Sequence, residues 1–280
     1  MDTLLLTIAV VGGIGLVGAI VLVVASKALA VEEDERIGTL VSLLPGANCG
    51  SCGYPGCEGY AKAMVDGAPC NLCGPGGPQA AQELAKVLGV DAGEVTVKRA
   101  IVACRGVAER IVLKEREGYQ GAPSCRVYAT LEHLSNSCTD GCIGYGDCMA
   151  SCPYGAIALN KNSVAVVDPA ICIGCGLCTT ICPRHLISLQ EKSDVDEVSF
   201  VLCHNTLMGK RALEACANTC IGCRKCTRVC PQKCITVENN VAHIDISQCI
   251  GCKACMRACP EGAIYPLFWV PHTAEDLPKD

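Results

Sequence analysis

Cysteines near the C-terminus have a spacing that is specific for iron–sulfur chemistry. Cys220, Cys223 and Cys226 follow one another at intervals of three residues. Cys230 comes four residues later, with Pro231 directly after it. In this C-x2-C-x2-C-x3-C-P pattern the first three thiolates bind one [4Fe–4S] cluster, and the fourth thiolate binds a second cluster. The run therefore requires a matching run elsewhere in the chain.

Residues 249–260 supply that match, with the same cysteine spacing and again a proline after the last cysteine. We expect two clusters whose fourth ligands are exchanged between the two runs. Zinc sites use C-x2-C pairs and do not need the prolines, which argues against zinc. The two expected ligand sets are Cys220, Cys223, Cys226 and Cys259, and Cys249, Cys252, Cys255 and Cys230.

The preceding stretch repeats this pattern. Its cysteines align with those of the C-terminal stretch at an offset of 78 residues, and residues 172–183 match residues 249–260 at an offset of 77. Repetition on this scale predicts two tandem copies of a bacterial-type two-cluster ferredoxin module. The first offset aligns Cys125, Cys138, Cys142, Cys148 and Cys152 with Cys203, Cys216, Cys220, Cys226 and Cys230.

The first copy lacks one regular ligand, because Tyr145 stands where the second copy has Cys223. We expect Cys138, four residues before Cys142, to replace it. A three-iron cluster with Cys138 idle is the alternative. The two expected sets of the first copy are Cys138, Cys142, Cys148 and Cys182, and Cys172, Cys175, Cys178 and Cys152.

A further set of cysteines lies near the N-terminus, in a glycine-rich context. Cys49, Cys52, Cys57 and Cys73 have the spacing C-x2-C-x4-C-x15-C. Glycines allow the backbone to approach a cluster closely, so that N–H groups can bond to its sulfides. These four cysteines are expected to bind a fifth cluster. Cys70 is the alternative to Cys73, which is preferred for its loop-like Gly-Pro-Gly-Gly context.

Five clusters use twenty of the 26 cysteines. Four of the six that remain, Cys104, Cys125, Cys203 and Cys216, lie just outside the two ferredoxin modules and could bind a sixth cluster between them. The alternative is that they are unligated buried thiols, since free cysteine often serves as a small apolar residue. No role is assigned to Cys70 or Cys234.

The N-terminal segment has the composition of a membrane helix. Residues 3–26 carry no charge and consist mainly of Leu, Ile, Val, Gly and Ala. Such a run at ~1.5 Å per residue reaches roughly 36 Å, enough to cross a bilayer core. A cleavable signal peptide is the alternative, but the basic n-region is missing and the apolar run is too long. We expect a single-pass anchor in the cell membrane, in contact with lipid over residues 3–26.

The remaining chain is expected to face the cytoplasm, because cluster ligands must stay reduced. Disulfides are the alternative, but cysteines so close in sequence seldom bridge each other. We predict an α+β fold with a helix over 79–88, a strand or helix over 95–102, and strands over 156–159, 164–167, 235–237 and 242–244. The expected units are an anchor (1–30), an N-terminal [4Fe–4S] module (31–100), a connector (101–135), a first ferredoxin module (136–190), a connector (191–215), a second module (216–268) and a tail (269–280).

Charge is distributed unevenly along the chain. The net charge of −5 and the pI near 5.6 argue against nucleic-acid binding. The second ferredoxin module is nevertheless basic around its clusters, and an acidic redox partner would be steered there. An ordinary solvated surface is the alternative. The candidate docking residues are Arg224, Lys225, Arg228, Lys253 and Arg257. No Ser/His/Asp set and no P-loop occurs, so we expect no catalytic residue that makes or breaks bonds.

An anchor, a C-x2-C-x4-C-x15-C module and tandem ferredoxin modules together resemble the B subunit of the Rnf complex, in its longer form from anaerobes. The most specific similarities lie in residues 48–57, 73–77 and 141–148. The resemblance implies a membrane complex that oxidises reduced soluble ferredoxin, reduces NAD on flavin-bearing subunits, and exports Na⁺ or H⁺. Two alternatives are the iron–sulfur subunit of a corrinoid-reactivating or hydrogenase-linked system, and a membrane-tethered iron–sulfur sensor.

Overall fold

The computed structural model describes most of the chain as short helices and short antiparallel strand pairs, in agreement with the predicted α+β class. The expected tail and about half of the first connector, residues 107–118 and 131–135, lie outside the described residues. In the first helix, side chains are described over residues 11–25. The described residues are 2–28, 34–106, 119–130, 138, 140–191, 195 and 197–268.

The apolar N-terminal segment forms one continuous helix, α1 (Asp2–Ala28). Its large side chains from Val11 to Val24 are all more than half exposed. Over the residues that the structure describes, no helix combines the length and the apolar character needed to cross a membrane.

Three helices form the N-terminal module: α2 (Glu35–Leu43), α3 (Gly56–Val65) and α4 (Gly77–Leu88). Each helix contributes a large, fully buried residue to a common core, namely Leu40, Tyr60 and Leu84. The predicted helix over 79–88 is confirmed as α4. It ends where Gly89 adopts a left-handed conformation that a side chain would disfavour.

The first ferredoxin module is built around two short strand pairs. Strand β2 pairs with β3, and β1 pairs with β4, both in antiparallel orientation. Apolar residues from all four strands form one core together with the module's cysteines. The elements are β1 (Lys98–Val102), α5 (Cys125–Ala129), α6 (Asp147–Ala150), β2 (Ile157–Leu159), β3 (Ala165–Val167), α7 (Leu177–Ile181) and β4 (Ile187–Glu191).

The second ferredoxin module repeats this arrangement, with β6 paired to β7 and β5 paired to β8. The four strands predicted after the Cys-Pro pairs of the two modules are thus confirmed as β2, β3, β6 and β7. The elements are β5 (Glu197–Val201), α8 (Lys210–Ala215), α9 (Lys225–Val229), β6 (Ile235–Glu238), β7 (Val241–Ile244), α10 (Ala254–Ala258) and β8 (Ile264–Phe268).

Each module begins with a strand that lies outside its expected boundaries. Strands β1 and β5 precede residues 136 and 216, yet they pair with the last strand of their module. The residues that follow continue the match. The Ala103 N–H donates to the Leu186 carbonyl at 2.8 Å, and the Leu202 N–H donates to the Ala263 carbonyl at 3.0 Å. Each strand therefore completes the module that follows it in sequence.

This pairing changes the register of the internal repeat. Cys104 and Cys203 occupy equivalent positions, because each lies two residues after its strand and accepts a backbone N–H from the first cysteine of the following cluster loop. The Cys142 N–H donates to Cys104 Sγ at 3.4 Å, and the Cys220 N–H donates to Cys203 Sγ at 3.2 Å. The offset of 78 residues, which aligns Cys125 with Cys203, is therefore wrong at the N-terminal end of the repeat. The cause is an insertion between β1 and the first cluster loop.

A close backbone contact fixes each of these strands against a cluster loop. Gly174 and Gly251 are the glycines of two equivalent Cys-Ile-Gly-Cys runs, with φ of +73° and +67°. A Cβ on Gly174 would overlap the Lys98 carbonyl, and a Cβ on Gly251 would overlap the Glu197 carbonyl. Only glycine allows this approach.

We predict that Gly251→Ala destabilises the second module by about 2–4 kcal/mol, because a strained φ adds to a steric overlap with β5. The control is Gly262→Ala, which has a similar φ of +58° but open space around the added Cβ. His185, its counterpart in the first module, already adopts φ of +49°. Gly262→Ala should cost about 1 kcal/mol. Urea unfolding of the anaerobic protein measures both, and equal losses would contradict the role assigned to the contact.

Candidate iron–sulfur sites

Three cavities in the ferredoxin modules are lined by the cysteines that the spacing groups together. Two of these sets lie in the second module, and in each the fourth cysteine comes from the other run. The first set is Cys220, Cys223, Cys226 and Cys259; the second is Cys230, Cys249, Cys252 and Cys255; the third, in the first module, is Cys152, Cys172, Cys175 and Cys178.

The N-terminal set is held together by one asparagine and one tyrosine. The Asn48 side chain accepts a hydrogen bond from the Cys57 N–H at 2.8 Å, which joins the two ends of the first cysteine loop. The Tyr60 hydroxyl accepts from the Leu72 N–H at 3.2 Å and so holds the loop that leads to Cys73.

Cys73 lies among the other N-terminal cysteines. Burial raises the pKa of the Cys73 thiol, and the neighbouring Cys52, Cys57 and Cys49 thiolates add to this rise. Cys70 is 2% exposed and packs in the module core. The structure therefore brings Cys73 to the site and leaves Cys70 in the apolar interior.

The fourth cysteine of the defective set differs from the expected one. The cavity beside the Tyr145 loop is lined by Cys125, Cys142, Cys148 and Cys182, and Cys138 is absent from its lining. The structure thus places Cys125, and not the expected Cys138, beside the other three cysteines. The physical reason is that α5 places Cys125 at this cavity.

Asp147 attaches α5 to the cluster loop. Its carboxylate accepts hydrogen bonds from the Cys125 N–H at 2.9 Å, the Arg126 N–H at 3.1 Å and the Ser124 hydroxyl at 2.8 Å. Although burial raises the pKa of Asp147, these hydrogen bonds lower it to a net value below normal. Because Cys148 is the next residue along the chain, Asp147 holds Cys125 beside Cys148.

Tyr145 itself helps to position Cys125. Its ring lies 5.7 Å from the Tyr128 ring of α5 and 6.1 Å from the Tyr119 ring, measured between centroids. These rings form a small core together with Cys125 and Ile143. Tyr145, which stands at the position of the missing cysteine, thus packs against α5, the helix that supplies Cys125. In the sequence, the acidic residue Asp147 next to Cys148 was the available signal for the contact between α5 and the cluster loop.

Cys138 lies instead in a cavity between the two modules. That cavity is lined by Cys104, Cys138, Cys203 and Cys216. Burial raises the pKa of Cys138 to about 12, and the neighbouring Cys104 and Cys203 thiolates contribute to the rise. Three cysteines of the expected sixth set, Cys104, Cys203 and Cys216, thus line one cavity, and Cys138 stands there in place of the expected Cys125.

The chemistry of these cysteine sets fits a cluster better than a single ion. Burial raises the pKa of Cys148 to about 12 and that of Cys226 to about 11, so isolated thiolates are unfavourable there without bound metal. Within the described ranges, no three Cys, His, Asp or Glu side chains are close enough to hold one metal ion. A [4Fe–4S] cluster has four irons to share among four thiolates, and it therefore suits a wider set.

The second module exposes two of its cysteines and a basic surface. Cys223 and Cys252 are the two exposed cysteines among the 26. Arg224 and Lys253 follow them directly and adopt left-handed conformations with φ of +58° and +59°. Lys253 also forms a 2.6 Å ion pair with Glu197. All five expected docking residues are exposed, namely Arg224, Lys225, Arg228, Lys253 and Arg257.

Family models match the chain over these cysteine sets. A "4Fe-4S dicluster domain" model matches residues 138–185 and again 219–263, and a second model of the same description matches residues 171–235. An "Fe-S cluster" model matches residues 44–75, which include Cys49, Cys52, Cys57 and Cys73.

Three curated proteins are similar over long stretches. The first is the B subunit of a Na(+)-translocating ferredoxin:NAD(+) oxidoreductase complex from Acetobacterium woodii, which is 38% identical over 88% of this chain and 72% of its own length. The B subunit of a proton-translocating ferredoxin:NAD(+) oxidoreductase complex from Clostridium ljungdahlii is 39% identical over 88% and 86%. The B subunit of an ion-translocating oxidoreductase complex from Methanosarcina acetivorans is 36% identical over 61% and 64%.

Proposed function

Because the chain belongs to the family of B subunits of ion-translocating ferredoxin:NAD(+) oxidoreductase complexes, and is an iron–sulfur electron-transfer subunit of such a complex, we propose that it accepts electrons from reduced ferredoxin. It would pass them to flavin-bearing subunits of the same membrane complex. When bound, a [4Fe–4S] cluster takes up and releases single electrons. The observation that carries the proposal is the grouping of twenty cysteines into five sets of four, two of which each include an exposed cysteine next to a basic residue.

The proposed ligands of these five clusters follow the arrangement in space. They retain the regular ferredoxin sets and the N-terminal set, and they replace Cys138 by Cys125. The sets are Cys49, Cys52, Cys57 and Cys73; Cys152, Cys172, Cys175 and Cys178; Cys125, Cys142, Cys148 and Cys182; Cys220, Cys223, Cys226 and Cys259; and Cys230, Cys249, Cys252 and Cys255.

The N-terminal set adjoins the first ferredoxin module. Tyr154 lies between them: burial raises the pKa of its hydroxyl, and the Cys175 and Cys49 thiolates raise it further from the two sides. The charge of Cys49 likewise contributes to the raised pKa of Cys175, after burial as the main cause. This proximity supports a continuous row of sites from the N-terminal module into the first ferredoxin module.

The basic surface of the second module supports docking of ferredoxin there. A non-glycine residue in the left-handed region costs roughly 1–2 kcal/mol, and strain of this kind concentrates at functional sites. The first module has Gly146 and Gly176 at the positions of Arg224 and Lys253, with similar backbone conformations. The second module therefore keeps two cations, next to its exposed cysteines, where glycine would fit without strain.

We further propose that α1 anchors the chain in the cell membrane as a single span, with the iron–sulfur modules on the cytoplasmic side. The uncharged run over residues 3–26 and the exposed apolar side chains between Val11 and Val24 support an apolar environment for this helix. Neighbouring subunits and lipid both provide such an environment.

Deletion of residues 1–30 should move the protein from the membrane to the soluble fraction when it is expressed without its partner subunits. The physical reason is the loss of the apolar segment, while the cluster modules remain. Fractionation after a high-salt wash measures this, and the iron content of the soluble form serves as the control for folding. Persistent membrane attachment of the truncated chain would refute the anchor.

Ferredoxin docking is tested by restoring the glycines of the first module. The double variant Arg224→Gly, Lys253→Gly should slow reduction by a ferredoxin about threefold to tenfold at low ionic strength, through lost electrostatic steering. The difference should shrink at high salt, where exposed charges are screened. Stopped-flow absorbance measures the rate. Lys86→Gln, Lys161→Gln removes the same charge elsewhere and should leave the rate unchanged; a slow rate that persists at high salt would argue against docking.

The assignment of Cys125 is tested by iron content in double variants. Cys142→Ala and the double variant Cys125→Ala, Cys142→Ala should lose the same cluster, about four irons per chain, because both cysteines belong to one site. Cys138→Ala alone should leave this cluster and its EPR signal in place, because Cys138 does not line this site. The reverse pattern would restore the grouping expected from the spacing. Asp147→Asn should convert part of the affected cluster to a three-iron form, visible by EPR, with Cys125 intact.

A further inference from the structure

The cavity between the two ferredoxin modules has features that the five proposed clusters leave unexplained. Four cysteines line it, and none of them belongs to a regular C-x2-C-x2-C-x3-C-P run. They are Cys104, Cys138, Cys203 and Cys216. All four are partly or fully buried.

The four cysteines form two equivalent pairs, one pair from each module. Cys104 and Cys203 each lie two residues after the end of a strand, β1 and β5, at matching positions. Cys138 and Cys216 stand four residues before Cys142 and Cys220, the first cysteines of the equivalent cluster loops. Two copies of one module thus present the same two cysteines to a shared cavity, as subunits do at an isologous interface. Unrelated buried thiols would have no reason to meet in this pattern.

The surroundings of Cys203 are suited to a ligating thiolate. Its sulfur accepts N–H hydrogen bonds from Asn205 at 3.4 Å and from Cys220 at 3.2 Å. The Thr219 hydroxyl lies 3.5 Å from the same sulfur and is itself held by the Asn205 amide at 2.9 Å. Asn205 and Thr219 are 2% and 0% exposed. A neutral apolar thiol does not need several buried donors, whereas a sulfur that carries negative charge does.

Polar contacts across the modules hold the cavity closed. Asp140, two residues after Cys138, accepts hydrogen bonds from the Thr206 N–H and hydroxyl, both at 3.0 Å. The Arg105 N–H donates to the Leu202 carbonyl at 3.2 Å, and the Arg105 guanidinium stacks on the Tyr265 ring at 3.8 Å. The segments that carry three of the four cysteines are therefore fixed against one another.

We propose that Cys104, Cys138, Cys203 and Cys216 bind a sixth [4Fe–4S] cluster that bridges the two ferredoxin modules. The inference rests on the proposed function and deepens it, because it supplies the connection between the two modules. Cys104 accepts the N–H of Cys142, and Cys203 accepts the N–H of Cys220. Cys142 and Cys220 are ligands of the two flanking clusters. A single hydrogen bond thus links the bridging site to a ligand of each flanking cluster.

Iron content of the full-length chain, purified anaerobically, tests the bridging cluster directly. Six clusters correspond to about 24 irons per chain and five clusters to about 20. The variants Cys104→Ala and Cys216→Ala should each lose about four irons, and the double variant should lose no more than either single one. Reductive titration should show one electron fewer per chain in each variant. Cys70→Ala, which removes a buried cysteine outside every set, should retain the full content.

The possible outcomes separate this inference from the proposed function. About 20 irons in the unaltered chain, with no loss in Cys104→Ala or Cys216→Ala, would overturn the bridging cluster and leave the five-cluster subunit intact. Additive losses in the double variant would overturn it as well, because the two cysteines would then serve different sites. A chain without iron would refute both. The count in the unaltered chain decides the question even if a variant fails to fold.

Discussion

The burial of thiol groups is the constraint on which both ferredoxin modules depend. Their strand pairs are three to five residues long, and isolated two-stranded sheets of this size are marginal in water. Cysteines fill a large part of the cores, and burial raises the pKa of several of them. Bound iron removes the cost of keeping those thiolates charged and links segments that are distant in sequence. With aromatics at only 4% of residues, the chain has few other means of stabilising such small units.

Duplication of one module explains the cavity between the copies. When two copies of one module share a cavity, each position that contributes a cysteine does so twice, so two positions yield four thiolates. The present cavity follows this rule with Cys104 and Cys203 after equivalent strands, and with Cys138 and Cys216 before equivalent cluster loops. The insertion between β1 and the first cluster loop lengthens one copy without moving either cysteine from its place in the fold. It also provides α5.

The sequence predicted most of the local structure and the regular cysteine groups, because each of these is encoded within a short run. Cysteine spacing, the prolines after each run and the period of α4 need no tertiary information. The exchange of Cys125 and Cys138 could not be predicted in this way. Cys138 has the more favourable spacing relative to Cys142, but Asp147 and the packing of Tyr145 against Tyr128 bring Cys125 to the cavity. Tertiary contacts of this kind leave no periodic pattern. The strand β1 escaped assignment to its module for the same reason.

The two copies have diverged at positions that reveal a division of labour. Position 147 in the first module and position 225 in the second are equivalent, and they carry Asp and Lys. In the first module the carboxylate is turned inward and holds α5, an internal structural task. In the second module the ammonium group stands on an exposed surface beside Arg224, whose strained backbone matches a glycine in the first copy. Selection for stability alone would favour glycine at that position. A cation there fits the docking role proposed for the second module, whereas Asp147 in the first module joins segments within the chain.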